Sequence, residues 1–394
     1  MGINLLHFAM FTIGISVLTI CCEDSIDNNG DEEISDSGMK DSSQDNNNYN
    51  ADGGDADASA DGSAIACEWR KMYEATENIS ALNDIWGSDV DNIYAVGFYS
   101  PVDPLDDGVY PVILHYDGAS WKEFKIEGLM AIYSIWGIND KCIFISNNHI
   151  NEIMHFNGAK WDVVEINQAS TMDIWGSSET YIFAVGDNTN PNDMGNKKGN
   201  IFHYDGNKWS LEYESEIVLE GIWGSSNNDV YAVGATGKLE GEFKGIVIHN
   251  DGQTWTETRT ESYEIINDVW GFSASDVIII KANYNSEHSF DESSIWRKEG
   301  INWVEDKAGI PEYLEKISGS SSEDIYVTGS EVDSSTGKKL DGVAYHYNGN
   351  DWELIELEGP WEIHRIWSFS KNEAFAVGRN IDDKTSLILQ YSCD

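Results

Sequence analysis

The sequence predicts an all-β fold, a seven-bladed β-propeller with four antiparallel strands per blade. Three observations predict it. A motif recurs seven times at spacings of 39 to 50 residues, the range of propeller repeats. Each copy carries four short strand patterns, which is one blade. The copies begin and end out of phase in a way that only a closed ring resolves.

The clearest copy reads GIWGSSNNDVYAVG (221–234), then a variable loop, then IVIHNDGQTW (246–255). The first-strand Trp is Trp86, Trp136, Trp175, Trp223, Trp270 and Trp367, with Ser318 in the sixth copy's place. The second strand is the Asp-Val-Tyr-Ala-Val-Gly type. The third ends in His-Tyr-Asp-Gly, and the fourth starts at a Trp. Asp-Gly or Asn-Gly between apolar runs is a hairpin signal, and the expectation is a turn with positive φ at both positions.

The fourth-strand Trp occurs at 121, 161, 209, 255, 303 and 352, with a seventh, Trp69, ahead of the first Trp-Gly. The last copy stops in its third strand, at Leu389–Asp394. The amino-terminal segment must therefore supply the outer strand of the last blade, which leaves no open edge. Aligned on that hairpin, Cys393 occupies the turn glycine's position (Gly118 in the first copy) and Cys67 that of Ala119. A Cys67–Cys393 disulfide would staple the broken hairpin, with a chain-entropy ceiling of about 5 kcal/mol. Cys142, in a second-strand pattern, reads as a buried thiol.

Two segments precede the repeats. Residues 1–22 carry no Asp, Glu, Lys or Arg and run apolar from Leu5 to Ile20, the length of a signal-peptide core. Leu18-Thr19-Ile20-Cys21 has the form of a lipobox with Cys21 as the lipidated residue, although Ile20 is bulky and no basic residue precedes the run. The expected location is the cell envelope, as an outer-membrane or surface lipoprotein. Residues 23–66 hold 13 acidic residues and one Lys, the composition of a disordered linker. The run Asp55–Gly62 has a calcium loop's alternating oxygens without its distal Glu. No cofactor is required, and Ca2+ is compatible with the Asp/Asn-rich loops, such as 187–193.

The formal charge is −45, and from residue 67 onward 56 acidic side chains stand against 23 basic ones. Nucleic acid is excluded as a partner, because no basic stripe offsets that field. The expected state is a monomer, with a protein or carbohydrate ligand.

The pattern I-W-G-S-S-x-x-D-V-Y-A-V-G with H-Y-D-G-x-x-W resembles repeats of predicted bacterial lipoproteins of the myxobacterial type. It covers 67–394, and the resemblance implies a propeller on the cell envelope with no catalytic residues to carry over. A distant likeness to the Asp boxes of sialidases rests on Asn250–Trp255, where Asn250 replaces the aspartate. Sialidases grip a carboxylate with three convergent arginines. Arg70, Arg259 and Arg297 fall at strand or loop positions with no common focus.

Most residues that suggest chemistry recur with the repeat. Thirteen of 15 Trp occupy the two repeat positions, where large rings are expected between blades. Five His (His115, His155, His203, His249, His346) share one third-strand position, too far apart for a common metal. No P-loop, nucleophile elbow or metal-ligand motif occurs.

The loops from second to third strand (98–111, 187–199, 235–244, 282–293, 330–341) vary widely and define one face. Variable loops on a rigid frame are where binding concentrates. Two residues before each first-strand Trp position lies a ring at that face's channel mouth: Asp84, Ser134, Asp173, Gly221, Asp268, Lys316 and Arg365. It reads either as inter-blade ion pairing or as a ligand site. Trp361 offers either a stacking surface there or packing against the rim. The leading functional reading is a non-catalytic binding scaffold. The alternatives are a glycan-active glycosidase or lyase using the mouth carboxylates, and a calcium-stabilised structural surface protein.

Overall fold

Second strands such as Ile93-Tyr94-Ala95-Val96-Gly97 are apolar without alternation, the pattern of a strand covered on both faces. Outer strands such as Trp121–Phe124 are largely exposed. That gradient from buried to exposed sets the order of strands within each blade.

The computed structural model describes residues 67–393 apart from 76–78, 100–107, 125, 127–130, 148–151, 167–169, 188–197, 237–242, 334–335, 358 and 383. The signal-peptide, lipobox, linker and Asp55–Gly62 expectations lie outside the described residues, as do most of the loops at 98–111, 187–199 and 235–244. The described residues form 28 strands in seven four-stranded antiparallel sheets and no helix. We number the blades from Ile79.

Six blades use four consecutive strands. The seventh joins Trp361–Ser370, Glu373–Asn380 and Ser386–Cys393 to the amino-terminal strand Cys67–Glu74, as the sequence requires. Cys67 faces Cys393 and Trp69 faces Tyr391 across this seam, and the Cys67–Cys393 disulfide closes it. The rings of Trp69 and Tyr391 lie 5.3 Å apart at 43°. Tyr116–Trp121 (5.3 Å) and Tyr347–Trp352 (5.3 Å), in uninterrupted hairpins, have the same separation. The seam thus reproduces an ordinary hairpin with a disulfide where the turn would be.

The turn between third and fourth strands differs from the expected pair of positive-φ residues. Only the glycine has positive φ, 82° at Gly118 and 91° at Gly206. Asp117 Oδ1 instead accepts the amides of Ala119 and Ser120 (3.2 and 3.0 Å), so the loop is longer and the carboxylate organises it.

A second glycine position shapes the channel. At Gly97, Gly186, Gly234, Gly329 and Gly378 an added Cβ would fall 1.8–2.3 Å from a first-strand carbonyl oxygen. There the first strand bulges, its register slipping between Leu82 and Asp84, for example, or Ile363 and Arg365. A bulge re-aims the side chain beside it, and the residue after the slip is the ring residue.

The first-strand tryptophans divide into two groups, which corrects the expectation that all lie between blades. Trp86, Trp175 and Trp223 are buried there; a Cβ on Gly137, Gly224 or Gly271 of the next blade would meet their rings at 2.4–2.7 Å. Trp136, Trp270 and Trp367 come from blades 2, 5 and 7 yet lie 6.0–6.2 Å from one another. Rings from such separated blades meet only on the axis, so they plug the channel.

The residue two positions on explains the split. Ser88, Ser177 and Ser225 follow the inter-blade tryptophans, whereas Ile138, Phe272 and Phe369 follow the axial ones. Phe272 lies 3.0 Å from a Cβ built on Gly319, and Phe369 2.7 Å from one built on Gly87. Those rings fill the inter-blade slot and leave the tryptophan to the axis.

Candidate functional site

Above the plug, the bulges bring the ring residues together. Asp84, Asp173 and Asp268 each use one carboxylate oxygen on the next residue's amide (2.9–3.0 Å). The other oxygen reaches the adjacent blade: Asp84 accepts Ile135 N–H, Asp173 accepts Ile222 N–H, and Asp268 accepts Ile317 N–H, each at 3.0 Å. One aspartate therefore pins two blades.

Arg365 spans the mouth. Its Nε donates to Asp84 Oδ1 and its Nη1 to Asp268 Oδ2, both at 3.1 Å, and Nη1 also reaches Ile317 O (3.2 Å). Ser134 Oγ donates to Asp173 Oδ1 (2.8 Å). Burial works against the charge on Lys316 and Arg365, but the facing aspartates outweigh it and raise both groups above their ordinary values. Burial raises the Asp173 carboxyl to about 6, with Lys316 opposing and Asp268 reinforcing the shift. The space bounded by this ring and the tryptophan plug is about 10 Å³, room for about one water molecule. Chemically the mouth is an ion-paired clasp, and the described residues bound no cavity the size of a sugar there.

Trp361 stands apart from the ring. It opens the first strand of blade 7 and packs on the Ile363–Ile366 cluster beside Ile355 and Leu357. Its neighbour Glu362, 1% exposed, accepts the Gly342 amide (2.6 Å) and pairs with Arg379.

The five third-strand histidines also serve the frame. Four stack on a second-strand ring: His115 on Tyr94 (4.2 Å), His249 on Tyr231 (4.2 Å), His346 on Tyr326 (4.3 Å) and His155 on Phe144 (4.3 Å), while His203 lies tilted at 56° against Tyr181 (4.3 Å). In His115, His249 and His346, Nε2 bonds the residue opening that strand: Asn92 (2.7 Å), Asp229 (2.8 Å) and Asp324 (2.8 Å); His203 instead pairs through Nδ1 with Glu212 (3.0 Å). Burial alone would raise the Asp324 carboxyl, but bonds from His346, Ser320 and Ser368 hold it below the usual range. The Asp and Tyr of each Asp-Val-Tyr are there for the histidine. Blade 2 has Cys142 in the Asp position, 3.5 Å from His155; burial lifts its thiol to about 11, which leaves it unreactive.

The five arginines of the propeller pair with separate acids: Arg70 with Glu68, Arg259 with Glu257, Arg297 with Asp276 and Asp306, Arg365 with the ring, and Arg379 with Glu362. They do not converge on one point. Among the described residues no group of three or more His, Cys, Asp or Glu could hold a metal ion. Asp187 is described, and 188–193 of the same loop are not.

Two features went unread in the sequence. Lys281 occupies the bulge-glycine position of blade 5; it is 6% exposed, its Nζ 3.0 Å from Glu264 and 3.7 Å from the Trp296 ring centre. This accounts for Trp296, which lies outside the repeat positions. The other is a cavity at the seam between blades 6 and 7. Its only sequence signal is a weak outer strand in blade 6, Trp352–Leu354.

No protein-family model matches the chain, and no curated protein sequence matches it. Solved structures do. YCF48 bound to D1 peptide is similar with a TM-score of 0.55 at 14% identity, over 83% of this chain and 97% of that one. The WD40 β-propeller domain of Doa1 gives 0.54 at 10% identity, over 82% and 97%. Oligogalacturonate lyase in complex with manganese gives 0.56 at 8% identity, over 84% and 97%. At such identities the likeness is one of fold, and the class it defines is the β-propeller.

Proposed function

We propose that this chain is an exported, lipid-anchored binding scaffold that holds a protein or glycan ligand on its variable-loop face. The observation that carries the reading is the engagement of the chemistry-bearing repeat residues. The histidines stack and bond within blades, the mouth carboxylates clamp adjacent blades, and the tryptophans wedge blades or plug the axis. A frame so engaged has its free variation in the loops. The Cys67–Cys393 disulfide supports export, because such bonds persist in oxidising compartments. The peptide in the YCF48 structure supports a protein ligand.

Two measurements test this. The full chain is screened on glycan and peptide arrays, with mass spectrometry of every retained probe for cleavage. Retention without turnover is expected; cleavage lost in Asp84→Asn, Asp173→Asn or Asp268→Asn would overturn it in favour of the glycan-active reading. Mass spectrometry of the processed amino terminus is expected to find lipid on Cys21, and an unmodified terminus would refute the anchor.

A further inference from the structure

At four blade interfaces the outer-strand Trp stands edge-on to a second-strand ring of the preceding blade. Trp161 meets Tyr94, Trp209 meets Phe144, Trp255 meets Phe183 and Trp303 meets Tyr231, at 5.7–6.5 Å. At the seam interface the equivalent Trp69 and Tyr326 instead line a cavity of about 260 Å³. That is about eight waters' worth of space, just under the usual range of small-molecule sites.

Its lining combines aromatic rings with carboxylates. Tyr326, with His346 stacked on it, and the Trp69–Tyr391 pair supply the rings. Glu353 and Glu356 supply carboxylates, beside Glu68 already paired with Arg70, and among the described residues no Lys or Arg lines it. Leu354, half exposed, offers an apolar wall. Blade 6 ends its outer strand at Leu354, after three residues, and Leu354, Ile355 and Glu356 line the opening.

We propose that this seam groove docks a Lys- or Arg-bearing segment of a partner protein. Ring faces and carboxylates together are the chemistry that holds a guanidinium or ammonium. The propeller's excess of 56 acidic over 23 basic side chains draws such a segment in. The same charge disfavours a second copy, and residues 23–66, with 13 acids and one Lys, are unsuited as occupant. The groove lies on the side of the ring rather than on the loop face, so the two sites stand or fall separately.

The test uses fluorescein-labelled pentaarginine and anisotropy with the full chain at near-physiological salt, where long-range attraction is screened. Saturable binding is expected. The double variant Glu353→Gln/Glu356→Gln should weaken it about tenfold, and Leu354→Arg, at an exposed position, should abolish it by placing a resident cation in the groove. The control Glu123→Gln/Glu165→Gln makes the same charge change on exposed positions of blades 1 and 2 and should stay within about twofold. Absence of saturation, equal loss in the two double variants, or displacement by spermine as effective as by unlabelled pentaarginine would overturn the proposal. None of these results bears on a ligand of the loop face.

Discussion

The interface between blades 6 and 7 departs from the repeat in two linked places, and the linkage can be measured. At five of the other six interfaces a wedge ring packs against a glycine of the next blade, as Trp223 does on Gly271 and Phe272 on Gly319. Blade 6 has Ser318 in place of the tryptophan, and blade 7 has Ser368 in place of the glycine. Ser318 Oγ donates to Ile366 O (2.6 Å), and Ser368 Oγ to buried Asp324 (2.6 Å). Ser368→Gly alone loses a bond to a charged acceptor, about 1.5–3 kcal/mol, and adds a strand glycine, about 0.5–1 kcal/mol. Ser318→Trp alone drives a ring onto a Cβ where other blades have none, an overpacking cost of about 1–3 kcal/mol. Together they restore the wedge-on-glycine arrangement, as at Trp223 and Gly271. The double variant should be less destabilised than the sum of the singles by about 1–3 kcal/mol. Urea unfolding of the four proteins, followed by far-UV circular dichroism, gives the cycle. Additivity within about 0.5 kcal/mol, or coupling of opposite sign, would refute the idea that wedge and glycine were exchanged as a pair.

Three further outcomes are expected. Cys67→Ser/Cys393→Ser should lower stability by at most about 5 kcal/mol and open the seam first, read as hydrogen exchange rising in Cys67–Glu74 before any other strand. Arg365→Met should cost about 3–5 kcal/mol, since it strips the guanidinium from Asp84 and Asp268, and adding Asp268→Asn should recover part of the loss in urea midpoint. Asp173 has its folded pKa raised from 3.8 to about 6, so the native state holds that proton more tightly than the unfolded chain. The associated stability is present below about pH 4 and fades as pH rises through about 6, an amount of about 3 kcal/mol. Asp173→Asn should therefore narrow its stability deficit against the parent between pH 4 and 7, and a deficit constant across that window would sink the assignment.

The repeat made the architecture legible because propeller stability comes from positions that must be filled the same way in every blade. Trp69 and the truncated last copy gave the closure, and Cys67 and Cys393 followed from alignment with Ala119 and Gly118. The direction of each first-strand tryptophan was harder to read, since it depends on whether Ser225 or Phe272, two residues on, leaves the inter-blade slot free. Asp84, Asp173, Asp268 and Arg365 were placed at one mouth by counting from each tryptophan. That the second oxygen of each aspartate clamps the neighbouring blade's amide was not, because the bulge that turns it lies in the pairing of two strands. The seam groove was invisible for the opposite reason: it arises where the pattern of blade 6 weakens after Leu354.

Departures from the repeat are therefore the more informative positions. Seven near-identical blades make a symmetric frame, and a symmetric frame presents seven equivalent surfaces and selects none of them. Blade 2 departs from the repeat at Ser134, Ile138 and Cys142, and blades 5 to 7 carry a further set: Lys281 for glycine, Arg297 for histidine, Ser318 for tryptophan and Ser368 for glycine, with Lys316 and Arg365 as the only cations of the ring. Each exchange has a local partner, as Lys281 has Trp296 and Ser368 has Asp324. None of these exchanges is required for closure, since blades 1, 3 and 4 pack with the glycines and wedge tryptophans in place. The seam cavity lies between two of these three blades. A ligand that recognises one orientation of the ring has its distinguishing features on that side, and the charge there directs it to basic chemistry.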